Sequence, residues 1–201
     1  SRSLEIAQML LDTQNVDAVV ITAVDLAGSP EQVILRQRKT PLNTGKPSLS
    51  FDKDVNGWMI GEGAGSIILK RMDAAKKDKE KIYATIDSIA FSPATSSETF
   101  EDCVKKAMKF AGIKPNQIGL LEVCGSGKIS DDKLEMEGLN RIFSGDKPHC
   151  AIGSIKANIG HTFAASGMAS LIKIALCLHH RFIPGVPQWE SPKIELSSRN
   201  I

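Results

Sequence analysis

A lysine and a histidine five positions apart are the side chains best placed for chemistry. Lys156 and His161 lie just before a long run of helix-forming residues. The first turn of a helix carries a partial positive charge, which pushes a neighbouring histidine towards its neutral form. A neutral imidazole can donate an N–H to an oxygen that gains charge during a reaction, and Lys156 could polarise the same region. The alternative is that His161 only forms a local hydrogen bond and that Lys156 reaches solvent.

The element that must position this pair is the helix predicted over residues 164–180. Its polar residues fall three or four positions apart along one line, and apolar residues separate them. The polar positions are Ser166, Ser170, Lys173, Cys177 and His180. One narrow polar stripe predicts a buried helix. The apolar run is broken by Lys173 and falls short of the roughly 20 residues that a bilayer requires, so no membrane partner is predicted.

Apolar runs alternate with amphipathic segments along the rest of the chain. The patterns predict helices over 3–14, 29–39 and 100–111 and from residue 131, and strands over 17–24, 66–70, 82–91, 118–123 and 150–155. The continuous β-branched run at 17–24 is typical of a central parallel strand covered on both faces. Strands alternating with helices predict an α/β fold with a largely parallel or mixed sheet and helical layers.

Composition and two glycine-rich segments argue against several function classes. With 25 basic and 23 acidic residues the net charge is +2, which gives no reason to propose a nucleic acid partner. The four cysteines are scattered, which suits reduced thiols of a cytoplasmic protein and predicts no metal site. Residues 61–65 precede a strand pattern, whereas a dinucleotide loop opens a helix. Residues 125–128 lack the earlier glycine of a phosphate-binding loop and the Ser or Thr that should follow its lysine.

Three motifs follow one another along the chain. Their residues are Asp54, Gly57 and Gly61–Gly65 in the first, Asp132 and Glu135 in the second, and Lys156, Asn158, Gly160 and His161 in the third. Together they resemble the "DGfvxGEGAG", "GDxxE" and "KxNxGH" motifs of the β-ketoacyl synthases, the condensing enzymes of fatty acid and polyketide assembly. The resemblance covers nearly the whole chain. It extends to the condensing region of polyunsaturated fatty acid synthases.

The resemblance implies a partial thiolase-like fold with αβαβα layers, of which this chain would form roughly the second half. Residues 1–75 would end the N-terminal half of the synthase domain, and residues 82–201 would form most of the C-terminal half. The nucleophilic cysteine of the family would lie upstream of Ser1. Synthases of this family are usually dimers, so the implied partners are a ketosynthase domain, in a homo- or heterodimer, and an acyl carrier protein. No cofactor is implied, because the phosphopantetheine of the carrier protein serves as the substrate arm.

One departure from the family pattern bears on activity. Where the family has its first catalytic histidine, this chain has Cys124, so the resemblance implies His161, Lys156 and Cys124 as site residues lying close together. In a working synthase a cysteine thiolate holds the acyl chain, and two histidines stabilise the enolate that forms as malonyl loses carbon dioxide. Cysteine is a weak hydrogen-bond donor and a poor substitute for imidazole.

These residues favour a chain-length factor, a non-condensing subunit that pairs with an active ketosynthase. Two alternatives remain open. One is an active β-ketoacyl synthase with an unusual site, and the other is a thiolase-fold acyl-binding or scaffold module.

Overall fold

The computed structural model of the protein describes residues 2–26, 28–93, 95–143 and 150–193. The helices of these residues are α1 Arg2–Asp12, α2 Pro30–Gln37, α3 Met72–Lys77, α4 Ser97–Ala111, α5 Ile129–Ile142, α6 Lys156–Ile159 and α7 Ser166–His180. The strands are β1 Ala18–Asp25, β2 Gly63–Lys70, β3 Leu120–Glu122 and β4 Ala151–Gly153. Short 3₁₀ turns occupy Pro115–Gln117 and Phe163–Ala165.

Strands β1 and β2 form an antiparallel pair, in register from Ala18 opposite Lys70 to Asp25 opposite Gly63. The expectation that residues 17–24 form a parallel strand covered on both faces is therefore wrong. Burial alternates along β1, as it does in a strand that is packed on one side. Ile21 packs with residues of α1 and α7, whereas Val20 on the opposite face is 64% exposed. Both faces are apolar, but the described residues cover only one of them.

Strands β3 and β4 are parallel, with Leu120 opposite Ala151 and Glu122 opposite Gly153. Two of the predicted site residues follow these strands, because β3 leads into Cys124 and β4 leads into Lys156. The strand predicted over residues 82–91 is not observed in the described chain. Its apolar side chains lack a pairing strand there, and Ile82, Tyr83, Ile86 and Phe91 are exposed.

Helices α4 and α5 pack against each other beside β3 and form the larger core. Its buried side chains include Phe51, Met108, Val123, Met136, Leu139 and Phe143. Helix α4 begins with a capping box between Ser96 and Thr99 and ends at Gly112, whose φ of 68° is the left-handed conformation that glycine adopts most easily. The close α4–α5 contact places Gly138 where a Cβ would lie 2.5 Å from the Phe100 ring.

Helix α7 packs across β2, but the prediction that it is buried is wrong. Only Ser166 and Met168 are buried in this helix. With the preceding 3₁₀ turn it forms the 18-residue segment Phe163–His180, which by length and composition alone is long and apolar enough to cross a membrane. The polar stripe makes specific contacts, however, because Lys173 pairs with Glu122 at 2.6 Å. That ion pair ties α7 to the end of β3.

Candidate functional site

Two carboxylates on the first half of α5 hold the loop that follows β3. Glu135 accepts the backbone N–H of Cys124 at 2.7 Å and that of Gly125 at 2.9 Å. Asp132 accepts the backbone N–H of Ser126 at 2.8 Å and that of Gly127 at 3.2 Å. Both side chains are buried, and this burial raises the pKa of each carboxyl group above its ordinary value. The two acidic residues of the second motif therefore fix the course of the loop.

Cys124 is held by its backbone rather than by its side chain. Its carbonyl accepts a hydrogen bond from Ser154 Oγ at 3.3 Å, in addition to the contact between its N–H and Glu135. The residue as a whole is exposed, although the surrounding protein covers much of the thiol. Loss of solvation from the surrounding protein raises the pKa of the thiol, and the positive charge of Lys156 opposes this effect only in part. The thiol is therefore protonated at neutral pH and is a weak donor.

Lys156 begins α6 and is buried, with only 5% of its surface exposed. Together with His161 and the loop residues Gly125–Gly127 it lines one small cavity. Its charge acts on both Cys124 and His161. Lys156 and His161 line the same cavity, and the burial of Lys156 contradicts the alternative in which it reaches solvent. That Cys124 forms one site with them stays a prediction.

His161 is held in one neutral form. Its backbone N–H donates to the Met59 carbonyl at 2.9 Å, and its Nδ1 accepts the N–H of Phe163 at 3.0 Å. Burial lowers the pKa of His161 to about 4, assisted by the positive charges of Lys156 and Arg36. Because Nδ1 acts as an acceptor, the proton of the neutral ring sits on Nε2. The local hydrogen bond and a free N–H donor thus coexist on the same ring.

The segment that contains His161 packs against the first motif backbone to backbone, with no side chain between them. Gly160 has a φ of 76°, and a Cβ on it would lie 2.1 Å from the Ile60 carbonyl oxygen. A Cβ on Gly61 would lie 2.4 Å from the Ile159 carbonyl oxygen. Glycine is therefore required at both positions, because no side chain fits between the two backbones. This close contact explains why glycines recur in the first and third motifs.

Sequence reasoning missed three side chains that surround this site. Phe163 stacks on His161, and Arg36 of α2 packs on the Phe163 ring. Glu122 accepts the N–H of Ile155 just before Lys156. A charged residue at the end of an apolar strand could have drawn attention to Glu122. No pattern links Arg36 to a residue more than a hundred positions later in the chain.

Comparison with known protein families assigns the chain to one of them. The family profile described as "Beta-ketoacyl synthase, N-terminal domain" matches residues 2–75, and "Beta-ketoacyl synthase, C-terminal domain" matches residues 80–190. The chain belongs to the β-ketoacyl synthase family. Among curated relatives, a polyunsaturated fatty acid synthase subunit of Thraustochytrium sp. is 34% identical over 198 residues, covering 91% of this chain and 9% of the relative. Polyketide synthase PksL of Bacillus subtilis is 31% identical, covering 93% of this chain and 4% of the relative.

Solved structures of ketosynthases share the fold, which is thiolase-like. The ketosynthase from module 6 of the Bacillus subtilis bacillaene synthase superposes with a TM-score of 0.85 at 30% identity. That match covers 96% of this chain and 37% of the solved one. The "PfaC Keto synthase-Chain length factor" structure gives a TM-score of 0.74 at 37% identity, covering 87% of this chain and 18% of that one. This chain therefore spans less than a tenth of these curated relatives and about a third of the bacillaene ketosynthase.

Proposed function

We propose that this chain is part of a ketosynthase-like chain-length factor of a polyunsaturated fatty acid or polyketide synthase. It pairs with an active ketosynthase and does not itself condense. The observation that carries the proposal is Cys124, a protonated thiol at the place that the family motif gives to its first catalytic histidine. Two relatives support it, since one belongs to a polyunsaturated fatty acid synthase and the PfaC structure is described as a ketosynthase with a chain-length factor.

The chemistry available at this site is half of what condensation requires. The neutral His161 can donate Nε2–H to a thioester oxygen, but Cys124 cannot supply a second strong donor. Loss of one donor to a developing oxyanion costs about a hundredfold to a thousandfold in rate. In the proposed complex the partner ketosynthase performs the condensation. The substrate arrives on the phosphopantetheine arm of an acyl carrier protein, and the chain needs no cofactor of its own.

The alternative is an active β-ketoacyl-ACP synthase, and the buried Lys156 with the neutral His161 favours it. In that reaction a malonyl thioester loses carbon dioxide to form an enolate. The enolate carbon then attacks an acyl thioester carbonyl and expels the thiolate that carried the acyl group. His161 would stabilise the enolate oxygen without a second imidazole.

The test uses the complete parent protein and measures condensation of acyl and malonyl thioesters together with malonyl decarboxylation. We expect no condensation by the native protein, an active ketosynthase co-purifying with it, and no effect of His161→Ala on chemistry. Cys124→His should raise decarboxylation if the parent has a nucleophilic cysteine, whereas Cys103→His, on α4 and away from this site, should not. A native protein that condenses, and loses that activity on His161→Ala, is instead an active synthase.

A further inference from the structure

We infer that Arg36 and Phe163 are positioning residues for His161, because the Arg36 guanidinium and the His161 imidazole both pack on the Phe163 ring. This inference deepens the proposed function, since it concerns the one imidazole donor that the site retains. It assigns a task to α2, an element that none of the three family motifs includes. It holds whether the chain condenses or only assists a condensing partner.

The guanidinium is anchored before it reaches the aromatic ring. Nη2 of Arg36 donates to both carboxylate oxygens of Asp25 at 3.1 Å. The Asp25 side chain, at the end of β1, is only 7% exposed. One of its oxygens also accepts the backbone N–H of Ala164 at 3.3 Å. A single buried carboxylate thus fixes both the arginine and the backbone that follows Phe163.

Phe163 transmits this anchoring to the histidine. Its ring is stacked on the imidazole of His161, with 4.2 Å between centroids and 11° between planes. The Cζ atom of Arg36 lies 3.8 Å from the same phenyl centroid, within the range of a cation–π contact. Trp58 meets the phenyl ring edge-on at 5.1 Å. With its plane set by the stack and Nδ1 occupied by the Phe163 N–H, the imidazole has one orientation for Nε2–H.

The charges around His161 come from three elements. Lys156 of α6 and Arg36 of α2 disfavour a second proton on the ring, and Asp25 of β1 favours one. Glu62 lies two residues after Ile60, which pairs with His161. The Glu62 carboxylate accepts the backbone N–H of Gly28 at 2.6 Å. The two cations outweigh the single carboxylate. Arg36 therefore acts on His161 in two ways, by geometry through Phe163 and by charge.

The experiment measures hydrogen exchange at the imidazole C2 position by mass spectrometry, which reports the titration midpoint of each histidine in the complete parent protein. We expect Arg36→Met to raise the pKa of His161 by roughly half a unit to one unit, the scale of one nearby charge in a partly solvated site. Arg36→Lys keeps the charge and should restore most of the native midpoint. Arg38→Met removes an exposed arginine of the same segment and serves as the matched control.

A second variant tests the stack without altering any charge. Phe163→Leu should speed exchange at His161, because one face of the imidazole loses its cover. The midpoint of His179, in the last turn of α7, should stay at its native value in every variant and serves as the internal reference. The inference is overturned if Arg36→Met leaves the His161 midpoint where it was, or if Arg36→Lys shifts it as far. Since no readout depends on turnover, the result is separate from the choice between synthase and chain-length factor.

Discussion

The buried ion pair between Glu122 and Lys173 should be strongly coupled. Their charged atoms lie 2.6 Å apart, and only 5% and 9% of the two side chains are exposed. Removing one partner of such a pair leaves an uncompensated buried charge and costs about 3–5 kcal/mol. Lys173→Met should fall at the lower end, because Glu122 still accepts the Ile155 N–H and the Ser170 hydroxyl. Glu122→Gln should fall at the upper end, since it leaves the ammonium of the largely buried Lys173 without its carboxylate.

The assay is a double-mutant cycle on the ketosynthase-like domain that contains this chain, with urea unfolding followed by the fluorescence of the buried Trp58. The double variant Glu122→Gln/Lys173→Met should cost less than the sum of the single variants by about 2 kcal/mol or more. The matched control is Lys133 and Glu137, an exposed pair one turn apart at 3.8 Å, where the coupling should be about 0.5 kcal/mol or less. Additive costs at Glu122 and Lys173 would refute the reasoning.

Three further predictions follow from the site. The pKa of His161 is lowered to about 4, so as pH falls the unfolded chain takes up a proton at this histidine before the folded chain does. The free energy of unfolding should therefore fall between pH 6.5 and 4, by about 3 kcal/mol at most. In His161→Gln the urea midpoint should depend less on pH over this range. Gly61→Ala should destabilise the domain by about 2 kcal/mol or more, because its Cβ meets the Ile159 carbonyl oxygen. Gly185→Ala is the control, since a Cβ there meets nothing within 4 Å. Equal melting temperatures for the two variants would contradict the packing. The charge of Lys156 partly opposes the burial that raises the pKa of Cys124, so Lys156→Met should raise that pKa further and slow alkylation of Cys124 by iodoacetamide near pH 8. An unchanged rate would show that the charge does not reach the thiol.

Local patterns predicted the elements better than their environments. The cap at Ser29, the stop at Gly112 and the polar stripe of α7 were all readable, because capping and helical periodicity act within a few residues. The parallel assignment of residues 17–24 failed, since an apolar strand does not specify the direction of its neighbour. The burial of α7 was overestimated for a related reason. An apolar face shows that cover is needed but does not show what supplies it.

Long-range placement at the site was predictable only where a motif spanned it. The order of the three motifs and the family resemblance indicated that Lys156, His161 and Cys124 belong together. Arg36 is far from His161 in sequence, and its partner Asp25 ends an ordinary strand. Their convergence on Phe163 depends on tertiary packing, which no local pattern of charge or hydropathy encodes.

The way the Cys124 loop is held bears on how a synthase domain can change its role. Glu135 accepts the backbone N–H of this residue and Ser154 donates to its carbonyl, so neither contact involves the side chain. The fold of the loop consequently depends little on which side chain stands at position 124. A duplicated gene could exchange this side chain without first acquiring a compensating change elsewhere. A synthase domain can therefore lose its chemistry and keep its shape, and it can persist as a partner that contributes only its surface.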